Sequence, residues 1–177
     1  QAWCVSNSSA TVTTPGTCDG NADGTLGYAA AASQSGELFQ FWRQLALAGL
    51  VEGNYSGYAG SGGADLAVIG SNTPASRLSA VGWTAYYRAT GIGTEPTVSI
   101  GNHFRVGSAT SGTTTGSFLR PEEMWNLDTK MDDGKPLLGG LLIRDTTTNT
   151  CSNATSASDL AATYYLTNSA IACSMLV

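Results

Sequence analysis

Asp19, Asn21, Asp23 and Gly24 stand at the spacing that opens a calcium loop, D-x-[DN]-x-[DN]-G. In such a loop alternate side-chain oxygens converge on a hard cation and the glycine allows the sharp turn. Thr25 completes the candidate calcium ligands. Position twelve of the loop, where a bidentate glutamate belongs, is Ala30, and the next acid is Glu37. Runs of Asp, Asn and Gly also form Asx turns with no ion at all, so calcium and a plain turn both stand. Asp128, Asp132 and Asp133 form a second acidic group near a helix C-terminus, where negative charge is unfavourable. A cation, or Lys130 and Lys135, would compensate it; a solvated acidic helix end is the plainer reading. His103 is the single histidine and the one side chain whose ordinary charge changes near neutrality. It has no companions: the chain has no Gly-x-Ser-x-Gly elbow and no phosphate-cradling glycine loop, and Glu52, Glu95, Glu122 and Glu123 show no assignable carboxylate pair. A structural histidine in a protein without catalytic residues is the expectation.

Four cysteines fall into two sequence-local pairs, Cys4 with Cys18 and Cys151 with Cys173, although four cysteines permit three connectivities. Local pairing is expected, in an oxidising compartment, each bridge adding roughly 3 kcal/mol by restricting the unfolded chain. Zinc would need all four scattered sulfurs, since no Cys-x-x-Cys occurs and there is one histidine. Trp42, Trp83, Trp125, Tyr86 and Tyr87 supply aromatic faces for sugar stacking, but their helix and strand spacing places most of them in a core. Asn7, Asn54 and Asn153 fit the N-x-[ST] glycosylation pattern, which matters only in a host that glycosylates there.

The elements that position these residues are read from periodicity and punctuation. Over 121–132, Pro121 suits the first helical position, Glu122 and Glu123 favour the positive end of the dipole, and Gly134 suits the stop. Met124, Leu127 and Met131 make its apolar face, leaving Glu123, Asp128, Lys130 and Asp132 to water. A second helix runs from Ser35, as cap, to Gly49, with Leu38, Trp42 and Leu45 in one stripe and Leu50 and Val51 continuing into the core. Residues 57–82 form a Gly/Ser-rich surface excursion, interrupted by Leu66, Val68 and Ile69 without a clear period. Strands are expected at 83–88, 97–106, 138–144, 163–166 and 171–175, paired antiparallel. One α+β domain over residues 1–177 follows, with long Gly/Ser/Thr loops.

The 177 residues suffice for a core without metals. Charged residues make up 12 % of the chain and the net charge is −5, with no basic stripe, which excludes nucleic acid and anionic membrane surfaces as main partners. No apolar run reaches the ~20 residues a bilayer requires, and Gln1 opens directly on Ala2-Trp3-Cys4, which reads as a mature or trimmed chain.

Three motifs carry a resemblance: Trp-x-x-Leu-x-Leu-Ala-Gly-Leu from Trp42, Asp-Thr-Lys-x-Asp-Asp-Gly from Asp128, and Asn-Ser-x-Ile-Ala-Cys from Asn168. With Thr73-Pro74-Ala75-Ser76-Arg77-Leu78 they resemble a type IV pilin or pseudopilin ectodomain, from about Cys18 to the last residue. The first motif suits any buried helix; the two later ones are more specific. The resemblance implies a pilin-like head with a disulfide-closed C-terminal region, repeated on the outside of a bacterial pilus or type II secretion-like pseudopilus. It also implies an apolar N-terminal helix, which these residues lack and which is expected on a removed segment or a separate short chain. The expected partners are therefore copies of the chain or that helix, and the membrane only through it. A calcium-dependent adhesion or carbohydrate-binding module is the alternative.

Overall fold

Leu38, Phe39 and Trp42 recur on one side of a run free of glycine and proline, and helix α1, Glu37–Leu47, buries them. The structure is a computed structural model that describes residues 23–27, 31–33, 35–88, 96, 100–144 and 150–177. The N-cap of α1 is Gly36, with no side-chain cap. Ser35, expected in that role, is buried and accepts a hydrogen bond from Gln40 Nε2 at 3.0 Å. Gly49, at φ +73°, ends the helix in a Schellman turn: its N–H reaches Ala46 O at 3.0 Å and that of Leu50 reaches Leu45 O at 2.9 Å. This turn corrects the expectation for Leu50, which is carried away from the core and left 72 % exposed. Val51 packs against the Trp42 cluster instead.

One antiparallel sheet, in the order β1-β2-β4-β3, is built from β1 (Val81–Arg88), β2 (Gly101–Ser108), β3 (Leu142–Ile143) and β4 (Met175–Leu176). The long β1–β2 pair sets its two faces, because residues directly opposite share a face. Ala85 lies opposite Phe104 and Trp83 opposite Val106, and this face receives Trp42 and Phe41 of α1. The other carries Thr84 opposite Arg105 and Tyr86 opposite His103. The excursion at 57–82 lends Ala59 and Ala67 to a cluster with Leu38, Phe39 and Tyr86.

Three strand expectations change. Of 171–175 only Met175 is strand, in β4, with Cys173 making a single bridge to Leu119. Within 138–144 only Leu142–Ile143 is strand, and 163–166 contributes a single bridge, Tyr164 to Ser152. The pairing stops because Leu166 N–H turns back to Tyr164 O at 3.1 Å and Asn168 N–H to Tyr165 O at 2.9 Å. Residues 97–99 of another expected strand lie outside the described residues.

Helix α2, Pro121–Met131, starts as expected, with Pro121 in its first turn and Glu123 Oε2 accepting the Arg120 N–H at 2.8 Å. Its buried face does not follow expectation. Pro121, Met124 and Asp128 are buried, while Met131 is 67 % exposed. The helix ends against Tyr164, a polar neighbour that admits a carboxylate where an apolar stripe predicted Leu127 and Met131.

Candidate functional site

The described chemistry of the C-terminal half centres on Asp128. Its side chain is fully buried, and Oδ2 accepts the Tyr164 hydroxyl at 2.7 Å while Oδ1 accepts the Gly134 N–H at 3.2 Å. Burial raises its pKa above the ordinary carboxylate range; the Tyr164 and Gly134 hydrogen bonds oppose that rise, and Asp133 and Asp132 add to it. Burial and the Asp128 hydrogen bond push the Tyr164 phenol well up, so the phenol is the donor in this pair.

Asp132 and Asp133 are exposed and fold the following loop onto the helix end. Asp132 Oδ2 accepts the N–H groups of Gly140 at 2.5 Å and Leu141 at 2.9 Å, and Asp133 Oδ1 accepts that of Lys135 at 2.8 Å. Backbone N–H groups thus compensate negative charge at a helix C-terminus, the task expected of Lys130, Lys135 or a cation. One oxygen from each of Asp128, Asp132 and Asp133 lies within 4.8 Å of the others, so among the described residues these three are the group with metal-ligand spacing.

This clasp is joined to the last motif of the chain. Cys151 and Cys173 form a disulfide across 22 residues. Both are buried in a cluster with Met124, Leu137, Leu141, Ile143 and Tyr164. Leu119 and Cys173 exchange backbone hydrogen bonds at 2.9 and 3.2 Å, which ties the entry of α2 to the tail. Local pairing of Cys151 with Cys173 is as expected from the sequence; Cys4 and Cys18 lie outside the described residues.

A second polar group is buried on the sheet. The Arg105 guanidinium lies 3.7 Å from the Tyr86 ring centroid and donates to Thr113 Oγ1 at 3.0 Å. Burial, eased by Tyr86, brings its pKa down to about 10. The Thr84 and Thr114 hydroxyls meet at 2.8 Å, and Thr114 Oγ1 donates to Arg105 O at 2.8 Å. His103 packs edge-on to Tyr86, and burial lowers its pKa, with Arg105 and Arg88 adding to the fall and the Gly101 hydrogen bond opposing it. The group reads as an internal polar layer between the sheet and the segment after β2.

Asp19 and Asn21 of the expected calcium loop lie outside the described residues. Asp23 Oδ1 accepts from Thr25 N at 2.7 Å and from Thr25 Oγ1 at 2.6 Å, a local turn of the kind Asp forms without an ion. Trp42 is core, Trp83 half-buried, and Trp125 is 38 % exposed. Sequence reasoning missed Tyr164 and Arg105. For Arg105 the strand alternation that places it with His103, opposite Thr84 and Tyr86, was the available sign; Tyr164 sits 36 residues from Asp128 and gave none.

At the level of class, the described residues define an α+β fold with two helices, a four-stranded antiparallel sheet and a C-terminal disulfide. No protein-family model matches the chain, and no curated protein or solved structure is significantly similar to it.

Proposed function

We propose that this chain is the head domain of a structural subunit in an extracellular type IV pilus or type II secretion-like pseudopilus, acting through repeated contacts with copies of itself. One observation carries the reading. The segments that carry the two more specific motifs of the resemblance, 119–136 and 164–174, pack together through the Asp128–Tyr164 hydrogen bond and the Leu119–Cys173 bridge, and the Cys151–Cys173 disulfide closes the second. A covalently closed unit of this kind suits a subunit displayed outside the cell, where thiols oxidise. The low charge content limits repulsion between stacked copies, and Leu50, Met131 and Ile171, each over three-fifths exposed, offer apolar contact. The test is to shear surface filaments from the native source and identify their subunits by mass spectrometry. This polypeptide is expected as a stoichiometric component; its absence from the filaments and presence as free secreted protein would count against the reading.

A second reading, a calcium-dependent adhesion module, draws on the Asp128, Asp132 and Asp133 carboxylates. Melting the protein with calcium and with chelator tests it, an unchanged midpoint excluding a stabilising calcium site.

A further inference from the structure

The C-terminal half of α1 and the segment 53–56 border an open cleft of about 630 Å³. That size lies within the range of small-molecule sites, roughly 300–1,000 Å³. Ala46 and Leu47, the latter 37 % exposed, give it an apolar side, and the exposed Asn54 and half-buried Ser56 give it a neutral polar one. Among the described lining residues Arg43 alone carries charge.

The Arg43 guanidinium is held at two points. Its Nη1 donates to Ser56 O at 2.9 Å, and its stem lies against Gly57, where an added Cβ would come within 2.9 Å of Arg43 Cδ. Among the described residues no ion pair takes up its charge. A guanidinium has five N–H donors in a planar fork, so one bond to Ser56 leaves donors for an acceptor from outside. A fork fixed in this way suits the two coplanar oxygens of a carboxylate.

The surroundings set the charge and the body of that ligand. The cleft lies at the C-terminal end of α1, the negative pole of the helix dipole, in a chain of net charge −5. One guanidinium there balances one negative charge and not the two of inorganic phosphate or sulfate. The amide of Asn54 and the hydroxyl of Ser56 call for hydroxyl groups on the ligand, and Leu47 calls for an apolar face beside them.

We propose that this cleft binds an acidic sugar of the hexuronate type. The carboxylate meets the Arg43 fork, the sugar hydroxyls meet Asn54 and Ser56, and the C–H face of the ring rests on Leu47. Binding here needs no second copy of the chain, so the site is independent of the filament reading.

The probes are methyl β-D-glucuronide, methyl β-D-glucoside and acetate, titrated against the nitrogen-labelled full chain at low ionic strength, where a half-exposed charge is least screened. Backbone amide NMR is the readout. The glucuronide is expected to shift the amides of Ala46, Leu47, Asn54 and Ser56 saturably and to bind about tenfold more tightly than the glucoside, the lower end of the effect of a hydrogen bond to a charged group. Acetate should bind more weakly than the glucuronide. Leu47→Glu places a carboxylate four residues after Arg43, within reach of the guanidinium, and should erase the preference for glucuronide over glucoside. Arg43→Gln should erase it too. A glucuronide titration that moves none of these amides overturns the proposal, as does equal binding of glucuronide and glucoside, acetate binding as tightly as glucuronide, or a preference that survives in Leu47→Glu. If Arg43→Gln does not fold, because its stem also packs on Gly57, Leu47→Glu decides.

Discussion

Asp128 shows how one side chain can serve a fold through a cost met locally. A buried carboxylate is tolerated because a phenol and a backbone N–H both donate to it. Tyr164→Phe should therefore destabilise the protein by about 1.5–3 kcal/mol in denaturant unfolding, the range for a hydrogen bond to a charged group. Asp128→Asn keeps the shape and an acceptor while removing the desolvated charge, so it should cost clearly less than Asp128→Ala. Equal losses for the two would show that the oxygen facing Tyr164 contributes nothing.

His103 adds a pH dependence whose sign follows from burial. Its folded pKa lies below the ordinary 6.5, so below pH 6.5 the unfolded chain binds the proton more readily than the folded one. Stability is fully present above pH 6.5 and falls as pH drops from there toward the folded pKa. Unfolding free energies at pH 5 and 7.5 should show a larger loss on acidification for the native protein than for His103→Phe; identical losses would mean the ring titrates freely in the folded state. The sequence already marked His103 as structural, because a lone histidine without companions has little to act with. Asp128 was misread for the converse reason: helical periodicity ranks positions by hydrophobicity, and the tyrosine that accommodates the charge is far away in the chain.

At the scale of elements, local rules were legible wherever the causes were local. The start of α2 followed from Pro121 and Glu123, the end of α1 from Gly49, and β1 from its aromatic and β-branched run. What failed depended on distant partners. The 163–166 strand collapsed to one bridge because turns close around Tyr164, and Leu50 left the core because a Schellman turn fixes the direction of the chain after it. The disulfide belongs to this scale too. Replacing Cys151 and Cys173 together by Ala should lower stability by roughly 3 kcal/mol through the freed loop, with further loss from their burial in the core. A double variant as stable as the native protein would separate the tail from the core.

Gly107 marks a close approach between β2 and the segment that follows it. A Cβ there would meet Gly116 O at 2.5 Å and Thr114 O at 2.8 Å, both backbone atoms that cannot swing aside. Gly107→Ala should cost about 1–3 kcal/mol by prising that segment off the Thr84–Thr114 contact. Thermal melting measures it, and an unchanged midpoint would mean the segment is loosely held.

Across the whole molecule, the α+β class and antiparallel pairing were readable from composition and punctuation, while the C-terminal disulfide matched the expectation of local pairing, one of three connectivities the four cysteines permit. The proposed assembly is not written that way, since contacts between proteins depend on surfaces that no single chain completes. Among the described residues no helix is long and apolar enough to cross a membrane. Cryo-electron microscopy of native surface filaments tests the display role most directly. Repeated density along the filament should fit α1, α2, the four-stranded sheet and the Cys151–Cys173 unit in one helical arrangement. Filaments whose subunit density cannot hold this fold would contradict it.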